Sequence, residues 1–65
     1  MQITINQAPF ELPEGTTVEE ALAQFGAKPP FAVALNLEFV HRQRYSDTIL
    51  KAQDVLEIVQ PVAGG

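Results

Sequence analysis

Along the first six residues, Met1-Gln2-Ile3-Thr4-Ile5-Asn6, apolar and polar side chains alternate. A strand with one buried face requires this period of two, because successive side chains point to opposite sides of the pleat. Met1, Ile3 and Ile5 are therefore expected to point inward. Alternation resumes in Phe10-Glu11-Leu12, after a turn around Asn6-Gln7-Ala8-Pro9. The two runs predict an antiparallel hairpin, which Pro13 ends.

The period then changes. Pro13-Glu14-Gly15 supplies turn chemistry, and Val18, Ala21, Leu22 and Phe25 follow at the spacing of one helical stripe, with Glu19, Glu20 and Gln24 facing away. Thr16 and Thr17 are both candidate N-caps, each with a glutamate three residues on. Gly26 is the expected stop. A helix of about nine residues is unstable alone in water, so this one must be packed, and the stripe marks the face that packs.

Lys28-Pro29-Pro30 forms a stiff connection to a third strand, Phe31 to Asn36, and Asn36-Leu37-Glu38 turns the chain into a short fourth strand at Phe39-Val40. From His41 to Leu50 no clean period runs. A loop with one helical turn near Arg42 to Tyr45, followed by extended Thr48-Ile49-Leu50, is the expectation there. Lys51-Ala52-Gln53-Asp54 turns into Val55-Leu56-Glu57-Ile58-Val59, a β-branched fifth strand. The order of strand, strand, helix, strand, strand, strand places the chain in the α+β class. A mixed four- to five-stranded sheet crossed by one main helix, the β-grasp arrangement, buries both the stripe and one sheet face. The first and last strands would lie parallel in its middle. Residues 1–60 are expected to form this single domain, and 61–65 a flexible C-terminal tail.

Composition narrows the chemistry. Of the 65 residues, 46% are hydrophobic and none is cysteine, so the apolar core must suffice without disulfides. Absence of cysteine fits a reducing cytoplasm, the expected location, and excludes thiol chemistry. No run approaches the roughly 20 apolar residues that span a bilayer, and the N-terminus does not read as a cleaved signal. A net charge of -4 argues against nucleic acid as a partner. The crowding of Glu11, Glu14, Glu19 and Glu20 reads either as a solvated face or as steering toward a basic partner.

A conventional active site is not legible. His41, Ser46 and Asp47 have the residue types of a hydrolytic triad, but a chain this small cannot wall a pocket around them. One histidine and scattered carboxylates lack the spacing of a zinc or calcium site, so no bound metal or cofactor is expected.

The end of the chain carries more. Gln60-Pro61-Val62-Ala63-Gly64-Gly65 follows the last strand without a helical or strand pattern, and Pro61 removes a backbone donor while holding Gln60 extended. Residues 61–65 span roughly 16 Å when extended, enough to enter a partner's active site. Gly64 and Gly65 add no side chains, so a narrow channel could close on backbone alone, and the Gly65 carboxylate becomes the reactive group. At a background of about 7% per position, chance adjacency of two glycines is near half a percent. An incidental Gly-Gly end in a plain binding module is the competing explanation.

Met1 to Asn6, Glu14-Gly15-Thr16-Thr17-Val18, Ala32-Val33-Ala34-Leu35-Asn36, Glu38-Phe39-Val40, Asp54-Val55-Leu56-Glu57-Ile58 and Pro61-Val62-Ala63-Gly64-Gly65 together resemble the ThiS family of ubiquitin-like sulfur carriers of thiamine biosynthesis. The likeness covers essentially the whole chain, and the ending is its most specific piece. Two turn positions depart: Leu37 stands where the family's hairpin usually has glycine, and Gln53 where glycine often precedes the aspartate. Non-glycine residues there would strain a turn that needs positive φ.

The resemblance implies a co-substrate and not an enzyme. A ThiF-like adenylyltransferase would use ATP to adenylate the Gly65 carboxylate, and sulfur originating from a cysteine desulfurase would displace AMP. The resulting thiocarboxylate would serve a ThiG-like thiazole synthase. Alternatives within the same fold are the small subunit of molybdopterin synthase and a ubiquitin-like protein modifier. If Ile3, Ile5, Leu56 and Ile58 face the helix, alternation puts Thr4, Val55, Glu57 and Val59 on the opposite face, beside Ala32 and Ala34. Val59, Pro61, Val62, Ala63, Ala32 and Ala34 are accordingly the expected partner-binding residues.

Overall fold

The computed structural model describes residues 1–61. In chain order these form strands β1 (Gln2–Ile5) and β2 (Ala8–Glu11), helix α1 (Val18–Phe25), strands β3 (Ala32–Leu35) and β4 (Glu38–Val40), a 3-10 turn (Arg42–Arg44) and strand β5 (Val55–Val59). The strands make one five-stranded sheet in the order β2-β1-β5-β3-β4. β1 and β5 run parallel, with Thr4 opposite Val55 and Ile5 opposite Leu56, and the other neighbours are antiparallel. First and last strands thus meet side by side inside the sheet, and β2 and β4 take its edges. This is the mixed β-grasp sheet that the element order predicts.

The first hairpin is tighter than the turn residues suggest. Ile5 pairs with Ala8, so only Asn6 and Gln7 form the loop, with φ of 51° and 72°. Two central residues at positive φ give the turn whose twist matches that of the flanking strands. Pro9 therefore sits within β2, and the register explains why it is tolerated. The Met1 amino nitrogen donates to the Leu12 carbonyl at 2.7 Å, and the Leu12 N–H donates back to Met1 at 2.9 Å. Hydrogen-bonded pairs alternate from there through Ile3 and Phe10 to Ile5 and Ala8, leaving Thr4 and Pro9 as a non-bonded pair. Proline's missing N–H falls on the open edge, where no ladder bond is lost.

Thr17, not Thr16, caps α1. Its Oγ1 accepts the Glu20 N–H at 3.2 Å, and the Glu20 carboxylate accepts the Thr17 N–H at 3.0 Å. Thr16 instead turns its hydroxyl to the Pro13 carbonyl at 2.6 Å and is buried. The remaining first-turn donors are also taken: Val18 N–H bonds Thr48 at 2.8 Å and Glu19 N–H bonds Tyr45 at 3.1 Å. The orphan amides of the helix start thus fasten the His41–Leu50 loop to it. At the other end Gly26 adopts φ 86°, a left-handed C-cap that costs glycine little.

The helical stripe and the inward strand positions meet as expected. Ile3, Ile5, Leu12, Val18, Ala21, Leu22, Val33, Leu50, Leu56 and Ile58 form the core, with Met1, Phe10, Phe25 and Tyr45 packed around it. Leu50 joins it because Thr48-Ile49-Leu50 runs extended along the helix start, with Leu50 N–H bonded to the Thr16 carbonyl at 2.8 Å. Leu37 and Gln53 hold φ of 71° and 73°, the left-handed values for which glycine is the easier residue.

Candidate functional site

Central strand β5 delivers the chain to its C-terminal segment, and both hairpin turns peg that strand. On one side β1 ends at Ile5, but the Asn6 backbone and side chain continue the ladder. Asn6 N–H bonds Leu56 at 2.9 Å, and its side-chain amide takes both polar groups of Ile58. On the other side the Asn36 N–H bonds the Val55 carbonyl at 2.8 Å, while its Oδ1 accepts the Val55 N–H at 2.9 Å. Its Nδ2 donates to Asp54 at 3.0 Å. Each asparagine opens a two-residue turn at positive φ, a conformation its short amide tolerates, and this frees the side chain to reach across.

The two faces of β5 are unlike. Leu56 and Ile58 are buried beneath the helix, whereas Val55 and Val59 are 41% and 64% exposed on the other side. Register extends that outer face across the sheet. Val59 lies opposite Ala32, Glu57 opposite Ala34, and Ala34 opposite Phe39, which is 61% exposed. The expected residues Val59, Ala32 and Ala34 therefore share one face, with Glu57 as the carboxylate among them. An asparagine-rimmed surface groove lined by Asn6, Gln7, Glu57, Ile58 and Val59 borders it.

Phe39 was not among the expected contact residues, and it is the largest side chain on this face. Its alternation between Glu38 and Val40 in so short a strand was the available signal. The His41 ring stands edge-on to it, centroids 4.7 Å apart. The imidazole thus packs with the apolar face.

Beyond Val59 the chain leaves the sheet. Gln60 and Pro61 are exposed, and the Gln60 amide donates to the Lys28 carbonyl at 2.8 Å. Val62, Ala63, Gly64 and Gly65 lie outside the described residues. Among the described residues no buried side-chain polar atom lacks a partner, and no three histidine or carboxylate side chains cluster as metal ligands. No helix among them is long and apolar enough to cross a membrane.

A five-stranded mixed sheet in this order, with one helix packed across it, places the chain in the ubiquitin-like β-grasp class of folds. The family can be stated more narrowly. The sequence model of the ThiS family matches residues 2–65, and the chain belongs to that family. Its structure is similar to that of a thiamine biosynthesis protein (ThiS) from Geobacter metallireducens. That likeness has a TM-score of 0.83 and 28% sequence identity, and it covers 100% of each chain. No curated protein sequence matches the chain significantly.

Proposed function

We propose that this ThiS-family chain is a sulfur carrier in thiamine biosynthesis, and that its working group is the Gly65 carboxylate on a tail of residues 61–65. The observation that carries the reading is the family match, which runs over residues 2–65 and so includes Gly64-Gly65. The departure of the chain from the sheet after Val59, beside an exposed apolar face, supports it.

The chemistry follows from what a carboxylate lacks. It is anionic and its oxygen leaves badly, so it resists nucleophiles. Attack of a Gly65 oxygen on the α-phosphorus of ATP, held by a ThiF-like adenylyltransferase, expels pyrophosphate and gives an acyl adenylate. The terminal sulfur of a persulfide generated by a cysteine desulfurase then adds to the carbonyl carbon, AMP departs with the original oxygen, and a thiol reductant cleaves the S–S bond of the resulting acyl disulfide to release the thiocarboxylate. The C-terminal thiocarboxylate remains tethered to the protein, and a ThiG-like thiazole synthase consumes it. Catalytic groups belong to the partners, and this chain is their co-substrate.

Recognition falls to the outer face. Val59, Ala32 and Ala34 dock on partners together with Phe39, while Pro61, Val62, Ala63 and Gly64 line the way into the active site. Deleting Gly65 tests the assignment. The truncated chain should support no thiazole formation in a mixture of adenylyltransferase, desulfurase and thiazole synthase, and undiminished formation would refute the role of the terminal carboxyl.

A further inference from the structure

The point at which the chain leaves β5 is held by a contact between residues 32 apart in sequence. Gln60 is exposed, yet its Nε2 donates to the Lys28 carbonyl at 2.8 Å. An exposed side chain of that length ordinarily keeps its rotamer freedom. The acceptor sits on a stiff support, because Lys28 is followed by Pro29 and Pro30, whose rings restrict φ. The backbone of Gln60 is held as well. Val59 before it is paired with Ala32 in the sheet, and Pro61 after it confines Gln60 to extended conformations. The last sheet residue, the amide side chain and the proline ring thus converge on one direction of exit.

We propose that Gln60 is a positioning residue that aims the C-terminal segment at the partner's active site, acting through its hydrogen bond to Lys28. This rests on the reading of residues 61–65 as the tail that carries the reacting carboxyl. Holding Gln60 narrows the directions in which the segment sets out from the body, so fewer conformations separate a docked chain from one whose carboxylate meets the α-phosphorus. A loose root leaves more of them to be searched at each docking event.

The test compares wild type with Gln60→Met, which keeps length but cannot donate, and Gln60→Lys, which restores a donor. The readout is kcat/KM for adenylation by a ThiF-like adenylyltransferase, followed as ATP-pyrophosphate exchange, with Tm measured in parallel. Gln60→Met should lower kcat/KM about two- to tenfold, the factor equivalent to the net worth of one hydrogen bond, while Tm falls by no more than a few degrees and the protein stays folded at the assay temperature. Gln60→Lys should recover most of it. Unchanged kcat/KM in Gln60→Met, or an equal loss in both variants, would overturn the proposal. Wild type that supports no exchange at all would instead refute the sulfur-carrier reading beneath it.

Discussion

The side chain of Asn6 holds the backbone of Ile58 at both of its polar groups: Oδ1 accepts the Ile58 N–H at 2.7 Å, and Nδ2 donates to the Ile58 carbonyl at 3.1 Å. β1 runs out before β5 does, so one amide side chain substitutes for the strand that is missing. The same residue accepts φ 51° to open the first turn. Separating these two roles gives a prediction. Asn6→Gly keeps the turn but leaves two partly buried backbone groups without their partner, and should cost about 2 kcal/mol. Asn6→Ala adds left-handed strain of about 1 kcal/mol. Urea unfolding midpoints should therefore fall in the order wild type, Gly, Ala, and equal midpoints for all three would contradict the peg.

Leu37 combines φ 71° with 86% exposure, so its side chain contributes strain and little burial. Leu37→Gly should stabilise the protein by about 0.5–1 kcal/mol, the relief of left-handed strain less the added chain entropy. For a domain of this size that is a rise of a few degrees in Tm, roughly 4–8 °C per kcal/mol. Calorimetry checks it, and a lower Tm would show that the strain reading is wrong.

Thr17 and Thr16 look alike in sequence but should respond differently. Thr17→Ala removes the N-cap acceptor and should cost about 1 kcal/mol. Thr17→Ser retains the hydroxyl and should cost much less. Thr16→Ser likewise keeps the bond to Pro13, and loses only the packing of one methyl. Denaturant titration of the three variants distinguishes capping from general sensitivity of this segment.

Much of this architecture was legible in the residues. Alternation in Met1, Ile3 and Ile5 and the stripe Val18, Ala21, Leu22 and Phe25 are single-element patterns, and the structure places them against one another. What was not legible depends on contacts between elements. Overlapping capping boxes gave no local reason to prefer Thr17. The choice follows from Thr16, whose hydroxyl and carbonyl are committed to Pro13 and Leu50. Pro9 read as part of a turn, because its tolerance within β2 depends on a register set by neighbouring strands. Reach of Asn6 to Ile58, and of Gln60 to Lys28, joins residues 52 and 32 apart. No periodicity reports such pairs. Val59, Ala32 and Ala34 were found by alternation, whereas Phe39 escaped because a strand of 3 residues shows barely one period.

Docking through the outer face carries its own prediction. Val59 and Phe39 are mostly exposed, so Val59→Lys and Phe39→Lys should change folding stability by no more than about 0.5 kcal/mol. If this face meets the adenylyltransferase, each should lower kcat/KM for adenylation about tenfold or more, as loss of a buried interface contact does. Unchanged kinetics in both variants would remove the face from the interface.

The sulfur-carrier role rests on the atoms at the end of the chain, and intact-protein mass spectrometry reads them. After incubation with ATP, cysteine, a thiol reductant, a ThiF-like adenylyltransferase and a cysteine desulfurase, the protein should gain about 16 Da, the exchange of one oxygen for sulfur at the terminal carboxyl. Fragmentation should place the gain on Gly65. A mass that stays unchanged under conditions where the partner enzymes are active, or a gain located elsewhere in the chain, would contradict the account.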